Sequence, residues 1–231
     1  MLRVSGLWKS YGRVAALRGV GFSLEKGRIT ALLGENGAGK TTTLKIILGF
    51  LAPDAGTVEL RAVRVGYVPD QPAFFPWLPG RAALELTRRM LGVGRAQWLG
   101  RVRDLGAELR FDLGLLARPP RTYSAGNAKK FAFLQSLAMD PDLLIVDEPF
   151  SALDPPSVKR ARDLLVGMRD RGAAVLLSSH MLPEIARTSD DFIVIRRGQV
   201  VARSRLAEFM ARVKLAADGD IEAAFLGLIQ G

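Results

Sequence analysis

The chain contains no cysteine and only one histidine, His180. The first absence excludes disulfides and thiolate-held metals, and the second excludes a histidine-rich metal centre. No charge-free apolar run approaches the roughly 20 residues that span a bilayer. The N-terminal stretch MLRVSGLWKSYG has no signal-peptide h-region. A soluble, cytoplasmic protein is the expectation. The 231 residues suit one large domain carrying an insertion, and 48 % apolar residues are ample for a core. Acidic residues are also the minority, 23 against 33 basic, for a net charge of +10. The basic residues are scattered, never more than two in succession, with no aromatic residues interleaved along a basic stripe. Ordinary surface charge accounts for them first, proximity to an anionic membrane face second, and nucleic acid last, so no nucleic-acid partner is expected.

What is present is centred on Gly34–Thr42, GENGAGKTT. It fits the phosphate-loop pattern G-x-x-x-x-G-K-[ST], with Gly34, Gly39, Lys40 and Thr41 in the specified places. Backbone N–H groups wrap a polyphosphate only where no Cβ blocks the approach, which suits Gly34, Gly37 and Gly39. A helix beginning near Lys40 would aim its positive dipole end and unpaired N–H groups at the same anion. The loop residues Gly34, Glu35, Asn36, Gly37, Ala38, Gly39, Lys40, Thr41 and Thr42 are therefore the candidate nucleotide contacts. Lys40 would reach the β- and γ-phosphates, and the Thr41 hydroxyl would take one place on Mg²⁺. The flanks agree: Ile29–Leu33 reads as a short buried strand entering the loop, and Thr42–Leu48 as the helix leaving it.

Upstream, Leu2–Leu7 and Gly19–Leu24 read as strands separated by a Tyr-Gly turn region. Tyr11 either stacks on an adenine face or is a half-buried tyrosine at a strand end. Pro53–Gly56 is a turn, and Val63–Val68 alternates toward a further strand. From Pro69 to about Met139 the character changes: Gly80–Leu91 and Gln97–Leu116 carry apolar residues at helical spacing. A mostly helical insertion, about 72–140, is expected there. It opens with Phe74-Phe75-Pro76-Trp77-Leu78, which is either a core corner or a docking surface. Leu143–Val146, Ala173–Leu177 and Phe192–Ile195 read as buried strands of a parallel sheet. A helical tail is expected from about 204 to 231.

The strand tips supply chemistry. Asp147 would contact Mg²⁺, directly or through water. Glu148 points to the other side if the strand geometry persists, toward a water in line with the γ-phosphate, as general base. His180, at another tip, would hydrogen-bond a γ-phosphate oxygen.

With these motifs in order, the chain resembles the nucleotide-binding domain of an ABC transporter over nearly all its length. LLIVDEP (Leu143–Pro149) is similar to the family's second nucleotide motif, and SALD (Ser151–Asp154) to its D-loop. His180 stands at the switch-histidine place, and Tyr11 matches the adenine-stacking aromatic. Tyr123-Ser124-Ala125-Gly126-Asn127 falls where the family has its Leu-Ser-Gly-Gly-Gln signature, so Ala125 and Asn127 depart from the pattern. The Q-loop glutamine should follow Val65–Val68. The aligned residue is Asp70, with Gln71 next, so either the loop is shifted by one residue or Asp70 takes the glutamine's place near Mg²⁺.

The resemblance implies an α/β fold: a P-loop NTPase core with a mixed, mainly parallel sheet, an N-terminal antiparallel β subdomain and a helical insertion. It also implies that ATP and Mg²⁺ are bound between two copies closed head to tail, Ser124 and Gly126 of one contacting the γ-phosphate held at Lys40 of the other. A homodimer would drive a separate integral membrane permease subunit, docked at Phe74–Leu78, from the inner face of the cell membrane. Asp220–Leu226 and the short length resemble the drug, antibiotic and polysaccharide export branch. The alternatives are a soluble ABC-type ATPase acting on nucleic acid or ribosomes, and a regulatory subunit that binds ATP and hydrolyses it weakly.

Overall fold

A computed structural model describes residues 1–179 and 182–209, without the side chains of 182–184. The chain divides into two compact units, one formed by Met1–Ala62 with the segment from Met168 onward, the other by Val63–Gly167.

In the first unit, β1 (Leu2–Tyr11) pairs antiparallel with β2 (Val14–Leu24) and with β4 (Ala55–Leu60). Leu2, Val4, Leu7, Leu17, Val20, Phe22 and Leu24 are all buried, on an alternation that register shifts interrupt, one of them between Val4 and Leu7. This is the expected antiparallel subdomain, with longer strands than the sequence suggested. Both strands run on to a two-residue turn at Gly12-Arg13, so Tyr11 sits opposite Val14 in the last rung of the hairpin. The β4 strand was not anticipated. Only Val58 among its residues is half-buried and the others are exposed, so it carries little of the periodic burial that marks a strand.

The unit's second layer is parallel. β3 (Arg28–Leu33) lies between β7 (Ala174–Ser179) and β8 (Asp191–Arg196), with Leu33 opposite Ser179 on one side and Val194 on the other. β9 (Gln199–Arg205) returns antiparallel to β8 through Arg197-Gly198, both at positive φ. This strand takes in Ser204 and Arg205, where the helical tail was expected to begin. Its alternating exposure and its pairing with β8 outweigh the local helical pattern. Residues 206–209 are helical, and the remainder of the expected tail lies outside the described residues.

The second unit holds β5 (Val65–Val68) parallel to β6 (Leu143–Asp147), with α2 (Gly80–Met90), α3 (Arg95–Glu108) and α4 (Ala125–Ala138) between them in sequence. α3 stops earlier than periodicity suggested. Arg110 adopts φ +47, and Leu113–Ala117 continue as a separate 3₁₀ turn capped by Asp112, whose carboxylate accepts from the Gly114 N–H. Phe74, Phe111, Tyr123 and Phe131 form an aromatic cluster with ring centroids 5.1–6.0 Å apart. The described strands and helices match the α/β class read from the sequence. Among the described residues, no helix is long and apolar enough to cross a membrane.

Candidate functional site

β3 delivers the chain directly into the glycine-rich loop, and α1 (Lys40–Ile47) carries it away. Gly39 caps α1 at φ +113, a conformation that side chains rarely adopt. The space is also closed: a Cβ on Gly39 would stand 2.7 Å from Leu17 Cδ2 and 2.9 Å from the Ala16 carbonyl oxygen. On Gly34 it would stand 2.3 Å from the Ile195 carbonyl oxygen. Neighbouring strands, and not only a bound phosphate, therefore demand these two glycines.

The loop curls around its own lysine. Lys40 is buried, and its Nζ donates to the carbonyl oxygens of Gly34 at 2.6 Å and Glu35 at 3.2 Å. Thr43, fully buried, anchors the first turn by donating from Oγ1 and N–H to the Gly39 carbonyl at 2.9 Å each. Thr41 is exposed and Thr42 half-buried, while Glu35, Asn36 and Gly37 form the open rim. Tyr11 is half exposed at its hairpin end.

The carboxylates belong to the second unit. Every residue of β6 is buried, Asp147 included, and Glu148 adopts φ +47. Strand alternation therefore stops at Asp147, and the turn that follows, rather than the pleat, aims Glu148. Ser178 and Ser179 end β7 buried, while His180 lies outside the described residues.

Of the two Q-loop candidates, Asp70 is drawn inward and Gln71 is exposed. Ser151 Oγ lies 2.7 Å from Asp70 Oδ1 and 3.0 Å from the Glu148 carbonyl oxygen, and donates to this pair of acceptors. Lys129 was missed from sequence, although it is among the most buried side chains at 1 % exposure. Its Nζ donates to the carbonyl oxygens of Pro69 (3.0 Å), Asp147 (3.0 Å) and Asp70 (3.4 Å). Burial pushes this ammonium down to about 8, while Asp70, Asp147 and Glu148 favour its charge. The available signal was a Lys-Lys doublet running into the apolar segment Phe131–Leu134.

Ser124 is the N-cap of α4, accepting from the Asn127 N–H at 3.3 Å. Ser124, Gly126, Asn127 and Lys130 share an open cavity of about 300 Å³ with Ala152, Leu153 and Asp154. The fold thus joins two segments that the sequence shows separately. The cavity has an anion-accepting helix end, a hydroxyl and a lysine on one wall. Tyr123, in the signature's leucine place, packs edge-on against Phe131 and donates from its hydroxyl to the Leu115 carbonyl at 2.8 Å.

The five residues Phe74–Leu78 divide. Phe74 stacks on Phe131 as part of the aromatic cluster, whereas Phe75 and Trp77 are 60 % and 73 % exposed and lie against each other with centroids 6.0 Å apart. The core-corner and the surface readings each describe part of this segment.

Among the described residues, no three His, Cys, Asp or Glu side chains are grouped to hold a metal. Mg²⁺ takes one or two protein oxygens and fills its shell with phosphate oxygens and water. A threonine hydroxyl and an aspartate at a strand tip are suitable hard donors.

Residues 17–151 match the family model described as ABC transporter. The Nod factor export ATP-binding protein I of Ralstonia nicotianae is 34 % identical over 221 residues, covering 91 % of this chain and 68 % of that protein. A solved ATP binding subunit of an ABC transporter superposes with a TM-score of 0.89 at 28 % identity, covering 99 % of both chains. The dimeric structure of MJ0796, a bacterial ABC transporter cassette, superposes at 0.80 with 21 % identity, covering 89 % of this chain and 99 % of that one.

Proposed function

The chain belongs to the ABC transporter family of ATP-binding proteins, and we propose that it is the ATP-hydrolysing subunit of an exporter, working as a homodimer closed head to tail. The observation that carries this is the cavity shared by Ser124, Gly126 and Ala152–Asp154. It presents a serine hydroxyl and a helix N-terminus to an anion, which suits the γ-phosphate of an ATP held by a second copy.

In this reading the phosphate loop wraps the triphosphate with its backbone N–H groups, and Lys40 turns from its own carbonyls to the β- and γ-phosphates. Thr41 and Asp147 would hold Mg²⁺, with Asp70 or Gln71 as the Q-loop residue. Bound Mg²⁺ supplies neutralisation of the charge between the β- and γ-phosphates. Glu148 takes the proton of the attacking water, and His180 donates to a γ-phosphate oxygen. Tyr11 stacks on the adenine. Closure depends on the γ-phosphate bridging two copies, so hydrolysis lets them part.

The exposed Phe75–Trp77 pair suits an integral membrane permease subunit, which would place the protein at the inner face of the cell membrane. The export direction draws on the export function printed for the Ralstonia relative. Size-exclusion chromatography tests the core of the proposal. Glu148→Gln with ATP and Mg²⁺ should elute as a dimer and show no turnover. A monomer at saturating ATP would sink it.

A further inference from the structure

Lys129 is a buried cation to which the mechanism above gives no task. All three acceptors of its Nζ are backbone carbonyls, and they come from two segments far apart in sequence: Pro69 and Asp70 after β5, and Asp147 at the tip of β6. An ammonium has three N–H donors and no acceptor, so this set matches it one to one. Packing alone does not call for a lysine here. A methionine or leucine would fill the same space without removing a charge from water.

Each contact holds a backbone that carries chemistry. Turning the Asp147 carbonyl toward Lys129 fixes the residue whose carboxylate serves Mg²⁺ in the proposed function. Turning the Pro69 and Asp70 carbonyls inward fixes the start of the loop that leads to Phe75 and Trp77. Lys129 itself lies five residues after Ser124 on the same helix, about 7.5 Å along its axis, and a helix transmits such a displacement rigidly. Ser151, beside the cavity residues Ala152–Asp154, donates to the Asp70 carboxylate, while Lys129 holds the Asp70 backbone carbonyl.

We infer that Lys129 is a positioning residue that makes the signature helix, the Asp147 tip and the loop before the docking segment move as one body. The inference rests on the ATPase reading, because it assigns a linkage between parts of that machine. Movement of the Phe75–Trp77 loop against a membrane partner is thereby passed to the signature cavity and to the carboxylates together. Loss of the lysine uncouples them without touching the phosphate loop.

The test uses the full chain with Lys129→Met, which keeps the volume and removes the donors, beside Lys129→Arg, which restores donors. Affinity for a fluorescent ATP analogue should stay within about threefold of the parent, since no Lys40 contact changes. The kcat for ATP should fall about tenfold or more with KM within about threefold, and Lys129→Arg should recover a large part of it. In a Glu148→Gln background, Lys129→Met should need about tenfold more ATP to form the dimer. Unchanged kcat and unchanged dimer formation would overturn the inference, as would equal loss in the Met and Arg variants. If Lys129→Met fails to fold, Ser151→Ala carries the test. Its kcat should drop about threefold at constant KM, and no drop overturns the linkage. Failure of the ATPase reading is distinguishable, because the parent protein itself would then show no ATP turnover.

Discussion

The Lys40 ammonium donates to the Gly34 carbonyl oxygen at 2.6 Å, so the residue that is to grip phosphate is held by the loop it grips with. Lys40→Ala removes the cation and the brace together, and ATP affinity should fall by about a hundredfold or more. Lys40→Arg should not restore it, because the buried pocket fits a compact ammonium and not a planar fork. Fluorescence titration with an ATP analogue measures both, and unchanged affinity in Lys40→Ala would refute the phosphate-loop assignment.

Gly39→Ala should destabilise the fold even with no nucleotide added. The positive φ and the closeness of Leu17 and Ala16 together cost about 2 kcal/mol or more. Thermal melting should show a drop of about 5 °C or more. A melting temperature equal to the parent's would mean that the glycine answers only to the ligand.

The aromatic segment separates stability from partnership. Phe74→Ala opens the cluster around Phe131 and should cost about 1–3 kcal/mol. Changing Phe75 and Trp77 to Ser should leave the melting temperature within about 2 °C. The double variant should nevertheless lose co-purification with the membrane subunit. Retained co-purification would return the whole segment to a structural role.

Acid should weaken α2 in a defined window. Hydrogen bonds from Arg88, then Arg89, hold the Glu85 carboxyl at about 2, below its usual 4.5. A depressed carboxylate stabilises the folded state fully above its unfolded value and loses that contribution as pH falls toward the folded one. The parent should therefore melt slightly higher than Glu85→Gln at neutral pH and low salt, with the difference closing between about pH 4.5 and 2. Identical melts at neutral pH would show that solvent screens the pairs completely.

The elements that were readable in the sequence share one property: their physics is local. A strand of four buried apolar residues ending in Asp147, a glycine run and a helix start are set by neighbours a few positions away, so the phosphate loop and the β6 tip stand where their spacing puts them. The Phe74–Leu78 segment was ambiguous because burial depends on what comes to meet it. Phe131 meets Phe74, and among the described residues Phe75 and Trp77 meet each other's rings only. The early end of α3 and the long β9 were misjudged for the same reason, since a positive φ at Arg110 and pairing with β8 outweigh local periodicity.

By itself, then, the sequence determined that this chain holds a nucleotide phosphate loop, paired carboxylates at a strand tip and a signature-like helix start. Each is a short run whose residue types are dictated by backbone geometry and charge within that run. Only the tertiary structure decided that Asp70 meets Ser151 across 81 residues of chain and that Lys129 ties Pro69 and Asp70 to Asp147. Those contacts exist because parallel pairing of β5 with β6 brings their tips together beneath α4. A buried ammonium must then find its acceptors on whatever backbone the fold has gathered around it.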